Sequence, residues 1–559
     1  MGPQDPFSRQ TRRVALVGAV VLMTSAGLSA CSGSSSGGTS STSASASAVQ
    51  LVDMTPPAKG PLETLTWNLP FGEPTTLDYV KAADYSPDMV ISNLCDPLLR
   101  LKPDYTYGPN LATAWKSSDD HLTTTFTLRD DVKFWDGKPL TSADVVYSLK
   151  RNLDPKNTPV NGAFFERVKD ITATSPHEVV ITFTQPDELF IKEMATVAGM
   201  VSEQSYTESK GEEYGSTAGG VMCSGPFSLA KWTPGQDIVL SKNESYWNPE
   251  YTALSTKVTI NFITDTATLV SALNAGEIQG AYEIPSTAVP AIQKSNSGTL
   301  YQGKSLQVIE LLANAPGPAS DPKIVEALGM VIDRAGLAKV VYHDVADPNY
   351  TLIPPTAWDP TATDVYQKAA DALPKATTRD VEAAKALIAG NPNASKPITL
   401  AILAGDKTEM DTATLIQQEA KEIGLTVNIL PVQSGAFSSA FFDPEARKGM
   451  DLLLTQGFLD VPDPIDYLGL FVNKESLFNY TGHDDPEVTK LVGEARSTFD
   501  DSQRAQLVTQ AQVKYEDAHF FVPILSLHEL LFLNSKVTGA PASFAYIFEP
   551  SLATVGSAE

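Results

Sequence analysis

The sequence has few of the residues on which catalytic and metal sites most often depend. It contains 559 residues but only three cysteines and six histidines. The histidines lack the spacing of metal ligands; they are His121, His177, His343, His483, His519 and His528. From residue 61 onward the chain has no serine-hydrolase elbow, no zinc-protease motif and no phosphate-binding glycine loop. We therefore expect no catalytic activity, no cofactor and no bound metal.

Positive charge is also scarce. Lysine and arginine number 41 against 66 aspartate and glutamate, which gives a formal net charge of -25 and a pI of about 4.6. A protein that binds nucleic acid usually presents a basic face, so this balance argues against that class. Hydrophobic residues make up 42% and charged residues 19%, which is typical of a folded globular protein with two or three domains.

No apolar run is long enough for an ordinary transmembrane helix. The run at 14–26 follows Arg9, Arg12 and Arg13 and is typical of a secretory signal, so we assign residues 1–30 to a signal peptide. The run ends at Leu-Ser-Ala-Cys, which resembles the lipobox of bacterial lipoproteins and makes Cys31 the lipidation site. Ordinary signal cleavage beside an incidental cysteine is the alternative, and export by the general or the twin-arginine route stays open.

Residues 31–60 are rich in serine, glycine and alanine, which predicts a flexible tether between the lipid and a globular body. The body is then extracytoplasmic and held by its lipid at the outer face of the bacterial cell membrane. In such an oxidising compartment the two remaining cysteines, Cys95 and Cys223, can form a disulfide. Two buried, unpaired thiols are the alternative.

Local patterns within the body mix helices and strands. We predict a strand over 62–69, a helix over 87–100 capped by Ser86, and a second helix that starts with a capping box at Thr141. A helix is also predicted over 321–341. Helices then alternate with apolar strands up to residue 430, which indicates an α/β fold.

Several motifs, in a fixed order, resemble one family. They are LCDPLLR at 94–100, PNLATAW at 109–115, FTLRDDVKFWDGKPLTSADVV at 126–146, SGPF at 224–227, DPKIVEAL at 321–328, DVPDP at 460–464 and NYTG at 479–482. Together they resemble the dipeptide-, oligopeptide- and nickel-binding proteins of bacterial ABC importers, which are the family 5 extracellular solute-binding proteins. The long motif at 126–146 is the most specific of them.

The resemblance implies an α/β fold of the periplasmic-binding-protein (Venus-flytrap) type, in which two lobes close around a ligand by hinge motion. We expect the core of lobe I at 61–94, 216–308 and 524–559, an inserted subdomain at 95–215, and lobe II at 309–523. The family implies a monomer that delivers its ligand to an ABC permease and ATPase complex. We expect the protein to contact the membrane only through its lipid anchor.

Peptide-binding members hold the ligand backbone as an added strand, with a carboxylate receiving the free amine. By resemblance, Asp460 is that carboxylate, because a buried ammonium needs a counter-charge. Gln456, Gly457 and Phe458 form the strand that faces the ligand, and lobe I contributes a second stretch; that stretch is Ala83, Asp84 and Tyr85. The alternatives are that Asp460 caps the turn that follows it and that Tyr85 only packs in the core.

The cargo stays open among three classes. A di- or oligopeptide is the first expectation, and an oligosaccharide or opine and a nickel-type metal chelate are the alternatives. No arginine or lysine that would hold a peptide carboxylate can be located from the sequence. A lipoprotein of this fold that serves adhesion or signalling rather than import is a further alternative.

Overall fold

The computed structural model describes residues 50–82, 84–373, 379–474 and 476–559. Its strands are β1 Leu62–Asn68, β2 Leu99–Leu101, β3 Tyr107–Pro109, β4 Ala112–Ser117, β5 Thr123–Leu128, β6 Val168–Ser175, β7 Glu178–Phe183, β8 Phe227–Thr233, β9 Asp237–Lys242, β10 Ser255–Asn261, β11 Gly280–Ala281, β12 Gly298–Gly303, β13 Gln307–Ala313, β14 Ala346–Pro348, β15 Ile398–Leu403, β16 Val427–Val432, β17 Leu452–Phe458, β18 Phe521–Leu527, β19 Glu529–Asn534, β20 Val537–Thr538 and β21 Gly556–Ser557. Its helices are α1 Tyr85–Leu94, α2 Ser142–Lys150, α3 Leu189–Glu193, α4 Gln204–Lys210, α5 Thr266–Ala275, α6 Val289–Gln293, α7 Pro322–Val331, α8 Arg334–Val340, α9 Thr363–Ala372, α10 Val381–Ile388, α11 Lys407–Glu422, α12 Ser434–Phe442, α13 Pro464–Val472, α14 Pro486–Arg496 and α15 Asp501–Glu516.

Three larger sheets organise these elements. Lobe I is built on a seven-stranded sheet in the order β12-β19-β11-β1-β10-β9-β8, and lobe II on a six-stranded sheet in the order β14-β18-β13-β17-β15-β16. The four-stranded sheet β4-β5-β7-β6 lies within the residues predicted for the inserted subdomain, and a separate hydrophobic core contains Phe126, Ile181 and Phe190. The α/β Venus-flytrap architecture expected from the sequence is confirmed.

The chain passes between the seven-stranded and the six-stranded sheet at two short crossings. One crossing is the segment 304–306 between β12 and β13, and the other is the single residue His528 between β18 and β19. The His528 ring lies 2.8 Å from the amide oxygen of Gln302 and 3.0 Å from a carboxylate oxygen of Asp347. These crossings lie within a few residues of the predicted lobe boundaries, which themselves stay a prediction.

The start of the body lies earlier than the predicted tether boundary at residue 60. The backbone of Val52 donates to Gln302, and Thr55 bonds Ala540 through both its backbone and its hydroxyl. Gly60 forms a β-bridge with Ser557. The stretch 52–60 therefore belongs to the folded body rather than to the tether, because several of its backbone groups form hydrogen bonds with the body.

Two helix predictions need correction, and one helix start is confirmed. Helix α1 ends at Leu94 rather than continuing to 100, because Cys95 is extended and Pro97 follows closely. The helix predicted over 321–341 is two helices, since Asp333 caps α8 by accepting from the Gly336 backbone N–H at 2.9 Å. The capping box predicted at Thr141 is confirmed, because the Asp144 carboxylate accepts from the Thr141 backbone N–H at the start of α2.

Candidate functional site

Aromatic side chains from the two lobes meet at the interlobe cleft. Tyr85 of α1 lies against Phe458 at the end of β17, with ring centroids 4.9 Å apart, and Phe544 of lobe I lies 5.4 Å from Phe458. Tyr85 is only 8% exposed. The side-chain amide of Gln456 donates to the Tyr85 hydroxyl at 3.3 Å. The structure thus brings together three of the side chains predicted for the site.

The remaining lobe I residues of the prediction behave differently. The exposed Asp84 accepts a hydrogen bond from the Tyr85 backbone N–H at 2.8 Å and is therefore the N-cap of α1. Ser86, the predicted cap, lies inside the helix. Ala83 lies outside the described residues. The observed lobe I contribution is thus a helix N-terminus whose first residue, Tyr85, reaches lobe II.

Strand β17 has one edge that is only partly paired. On one side it pairs with β13 along its whole length, from Leu452 to Phe458. On the other side β15 pairs only with Leu452 and Leu453. Within the described residues no strand pairs with that edge from residue 454 to 458. An unpaired sheet edge is a template for an additional strand.

Gly457 is required by what lies beside this edge. A Cβ atom at this position would lie 2.3 Å from the Tyr467 hydroxyl and 3.3 Å from a carboxylate oxygen of Glu310. Tyr467 donates to Glu310, and burial raises the pKa of Glu310 to about 8. Glycine at this position therefore lets the Tyr467 hydroxyl approach the β17 backbone closely.

Asp460 follows β17 and is half-buried. Its carboxylate forms no hydrogen bond or ion pair within the described residues, and burial raises its pKa to about 7. Asp466 accepts from the Asp460 backbone N–H at 2.7 Å, and Asp463 caps α13 by accepting from Ile465 at 2.9 Å. The turn is therefore capped by other residues, and the Asp460 side chain is left without that structural role.

Two further acids lie near Asp460. Burial and the charge of Asp460 raise the pKa of Asp88, while burial and the charges of Asp466 and Asp460 raise that of Glu193. One carboxylate oxygen of Asp88 and both of Glu193 are buried without a hydrogen-bond partner. These buried acids therefore favour their neutral forms while the site is empty, and a bound cation would favour the charged form of Asp460.

Phe71 and Glu283 belong to the cleft but were missed in the sequence analysis. Phe71 follows β1 and Glu283 follows β11, and these two strands are parallel neighbours. Ligands of open α/β sheets bind beyond the carboxyl ends of such strands. This rule is the signal that would have pointed to both residues, once β11 had been recognised as a neighbour of β1.

The two cysteines of the body lie together. Cys95 and Cys223 are joined as a disulfide, with their Cα atoms 4.9 Å apart, and the bond connects the end of α1 to the segment before β8. Cys31 lies outside the described residues.

Among the residues that the structure describes, none of the helices is both long and apolar enough to cross a membrane. The same part of the chain contains no group of three or more histidine, cysteine or acidic residues arranged to hold a metal ion.

Comparison with known proteins gives consistent matches. The family model described as "Bacterial extracellular solute-binding proteins, family 5 Middle" matches residues 106–479, about two thirds of the chain. The dipeptide-binding protein DppE of Bacillus subtilis (strain 168) is 23% identical over 485 residues, which cover 84% of this chain and 87% of DppE.

Solved structures agree in fold. DppA from Helicobacter pylori, in complex with the peptide STSA, superposes with a TM-score of 0.78 at 21% identity and covers 89% of this chain and 99% of its own. NikZ from Campylobacter jejuni, in complex with Ni(L-His), has a TM-score of 0.73 at 19% identity and covers 86% of this chain and 96% of its own. Proteins of this fold therefore carry chemically different cargoes.

Proposed function

The chain belongs to the family 5 bacterial extracellular solute-binding proteins, and from this premise we propose that its ligand is a di- or oligopeptide. As a member of that family it is the substrate-binding component of an ABC importer. It is a carrier rather than an enzyme, and it works outside the cytoplasm.

The proposal rests on one observation, the unpaired edge of β17 that leads to the unpaired carboxylate of Asp460. A peptide added along residues 454–458 would satisfy backbone groups of that edge, as in other strand-addition complexes. Its free ammonium would then supply the counter-charge that Asp460 lacks. Gln456, Gly457 and Phe458 lie along the ligand, and Tyr85 covers it from lobe I.

The path of the ligand to the membrane completes the proposal. Cys31 carries the lipid, the segment after it is the tether, and the closed monomer delivers its peptide to the permease and ATPase complex. The relatives named for dipeptide binding support a peptide rather than the alternative cargoes, an oligosaccharide or opine and a nickel-type chelate.

A thermal-shift screen tests the cargo. The mature protein is heated with alanine di-, tri- and tetrapeptides, with the same peptides N-acetylated, with oligosaccharides and opines, and with nickel–histidine. Ligand at about 100 times its Kd stabilises the folded state by about 2.7 kcal/mol, which is a readily measured shift. We expect free peptides to raise the melting temperature and acetylated ones to fail, because acetylation removes the ammonium. A screen in which no peptide raises it contradicts the proposal, whichever other ligand succeeds.

A further inference from the structure

An acidic pocket lies beside Tyr85. It is formed at the carboxyl edge of lobe I, where the loops after β1 and β11 meet the start of α1. Its lining includes Phe71, Tyr85, Ser86, Tyr282, Glu283 and Tyr546. The free space inside it, about 10 Å³ for the centre of a water-sized group, admits one such group.

The walls of this pocket are aromatic. Phe71 stacks on Tyr85 with ring centroids 4.4 Å apart, and Tyr282 stacks on Tyr546 at 3.8 Å. Phe71 is 45% exposed, so a ring that would normally be buried is held at the mouth of the pocket. Aromatic faces attract cations, most strongly where water is excluded.

The acidic group of the pocket is Glu283. It is half-buried and accepts from the Tyr546 hydroxyl at 2.9 Å and from the side-chain amide of Gln307 at 2.5 Å. The same amide lies 3.3 Å from Glu529, and burial raises the pKa of both glutamates, with each also affecting the other. No lysine or arginine of the described chain forms an ion pair with either carboxyl group. Any negative charge on the two glutamates therefore lacks a counter-cation.

An unused hydroxyl supplies an independent sign of a ligand. Ser86 is 4% exposed, lines the pocket, and its side-chain oxygen has no hydrogen-bond partner. A buried polar group without a partner costs free energy comparable to a lost hydrogen bond, so such groups are rare in native structures. A donor that enters the pocket would supply the partner that Ser86 lacks.

We propose that this pocket binds the primary ammonium of a ligand side chain, so that the preferred peptides carry a lysine-type residue. The size of the pocket favours an ammonium, which is as small as a water molecule, over a guanidinium. The inference depends on the proposed function, because Gln456 of the ligand-facing strand contacts both Tyr85 and Gln307, at 3.3 and 2.8 Å. A side chain that leaves a peptide at this strand towards lobe I meets the pocket.

Calorimetric titration with matched tripeptides tests the proposal. Lysine is compared with norleucine, arginine and glutamate at each position of an otherwise all-alanine peptide. We expect that at one position lysine binds about 10-fold or more tightly than norleucine, about 1.4 kcal/mol, and that arginine gains less. Glu283→Gln and, separately, Phe71→Leu should remove most of the lysine advantage and leave the norleucine peptide within about twofold.

The control is Glu63→Gln, an exposed acid at the other end of β1, which should preserve the lysine advantage. Phe71→Leu changes an exposed side chain and keeps the test valid if Glu283→Gln does not fold. Equal binding of lysine and norleucine peptides at every position would overturn the ammonium pocket. So would a lysine advantage that survives both variants. Failure of every peptide to bind would instead overturn the proposed function.

Discussion

Asp463 is a fully buried carboxylate that contacts cations from two helices, α3 and α15. Both of its oxygens lie 2.5 Å from the Arg504 guanidinium, and one also lies 2.6 Å from Lys192 Nζ. Burial alone would raise the pKa of Asp463, but the charges of Arg504 and Lys192 outweigh it and hold the pKa far below the usual range. Glu188 is the only other acid that forms an ion pair with these two cations within the described residues.

We expect Asp463→Asn to destabilise the protein by about 3–5 kcal/mol, because removing one member of a buried ion pair leaves buried charge uncompensated. The substitution isolates that effect. Asparagine is about as good an N-cap as aspartate, so the hydrogen bond to Ile465 at the start of α13 is preserved. The matched control is Asp411→Asn, which breaks the exposed pair with Lys407 on α11 and should cost about 0.5 kcal/mol or less.

Urea unfolding followed by tryptophan fluorescence measures both variants. Because the pKa of Asp463 is lower in the folded than in the unfolded protein, its contribution is complete above the unfolded value of about 3.9 and is lost as the pH falls towards the folded value. The difference in the free energy of unfolding between wild type and Asp463→Asn should therefore be constant from pH 5 to 7 and shrink below about pH 4. If Asp463→Asn lowers the free energy of unfolding by no more than Asp411→Asn does, the buried ion pair does not have the predicted importance for stability.

Three further measurements address the site, the disulfide and the anchor. Asp460→Asn should weaken peptide binding by about 10- to 100-fold; since the pKa of Asp460 is raised to about 7, binding of an ammonium should release a proton below that pH. Titrations in buffers of different ionisation enthalpy detect the proton, and unchanged affinity would remove Asp460 from the site. The denatured, unreduced mature protein should show no free thiol from Cys95 and Cys223, and two free thiols would contradict the disulfide. Because the two cysteines are 128 residues apart in sequence, removing the disulfide should lower the free energy of unfolding by at most about 5 kcal/mol. Cys31→Ser should move the protein from the membrane fraction to the medium or periplasm, and continued membrane attachment would contradict lipidation.

Local sequence signals predicted the elements whose causes are themselves local. The capping box at Thr141 needs only Asp144, three residues later, and the alternation in β5 needs only its own two faces. The end of α1 was misplaced because apolar residues continue past Leu94, while the backbone turns away at Cys95. Apolar periodicity continued there, but the restriction imposed by Pro97 was stronger. A boundary of this kind is decided by backbone sterics that a hydrophobic pattern does not contain.

The site could be predicted only where the family resemblance reaches. Asp460 stands in the DVPDP motif, but its lack of a partner follows from Asp463 and Asp466 occupying the neighbouring hydrogen bonds, which no spacing reveals. Glu283 lies in no motif, and it meets Gln307 only because β11 lies two strands from β12 and the chain crosses lobes directly after β12. Each of these contacts joins segments distant in sequence, and sequence-local reasoning does not see them. The motifs therefore identify the family, while the proposed ligand site depends on which distant segments the fold brings together around β17.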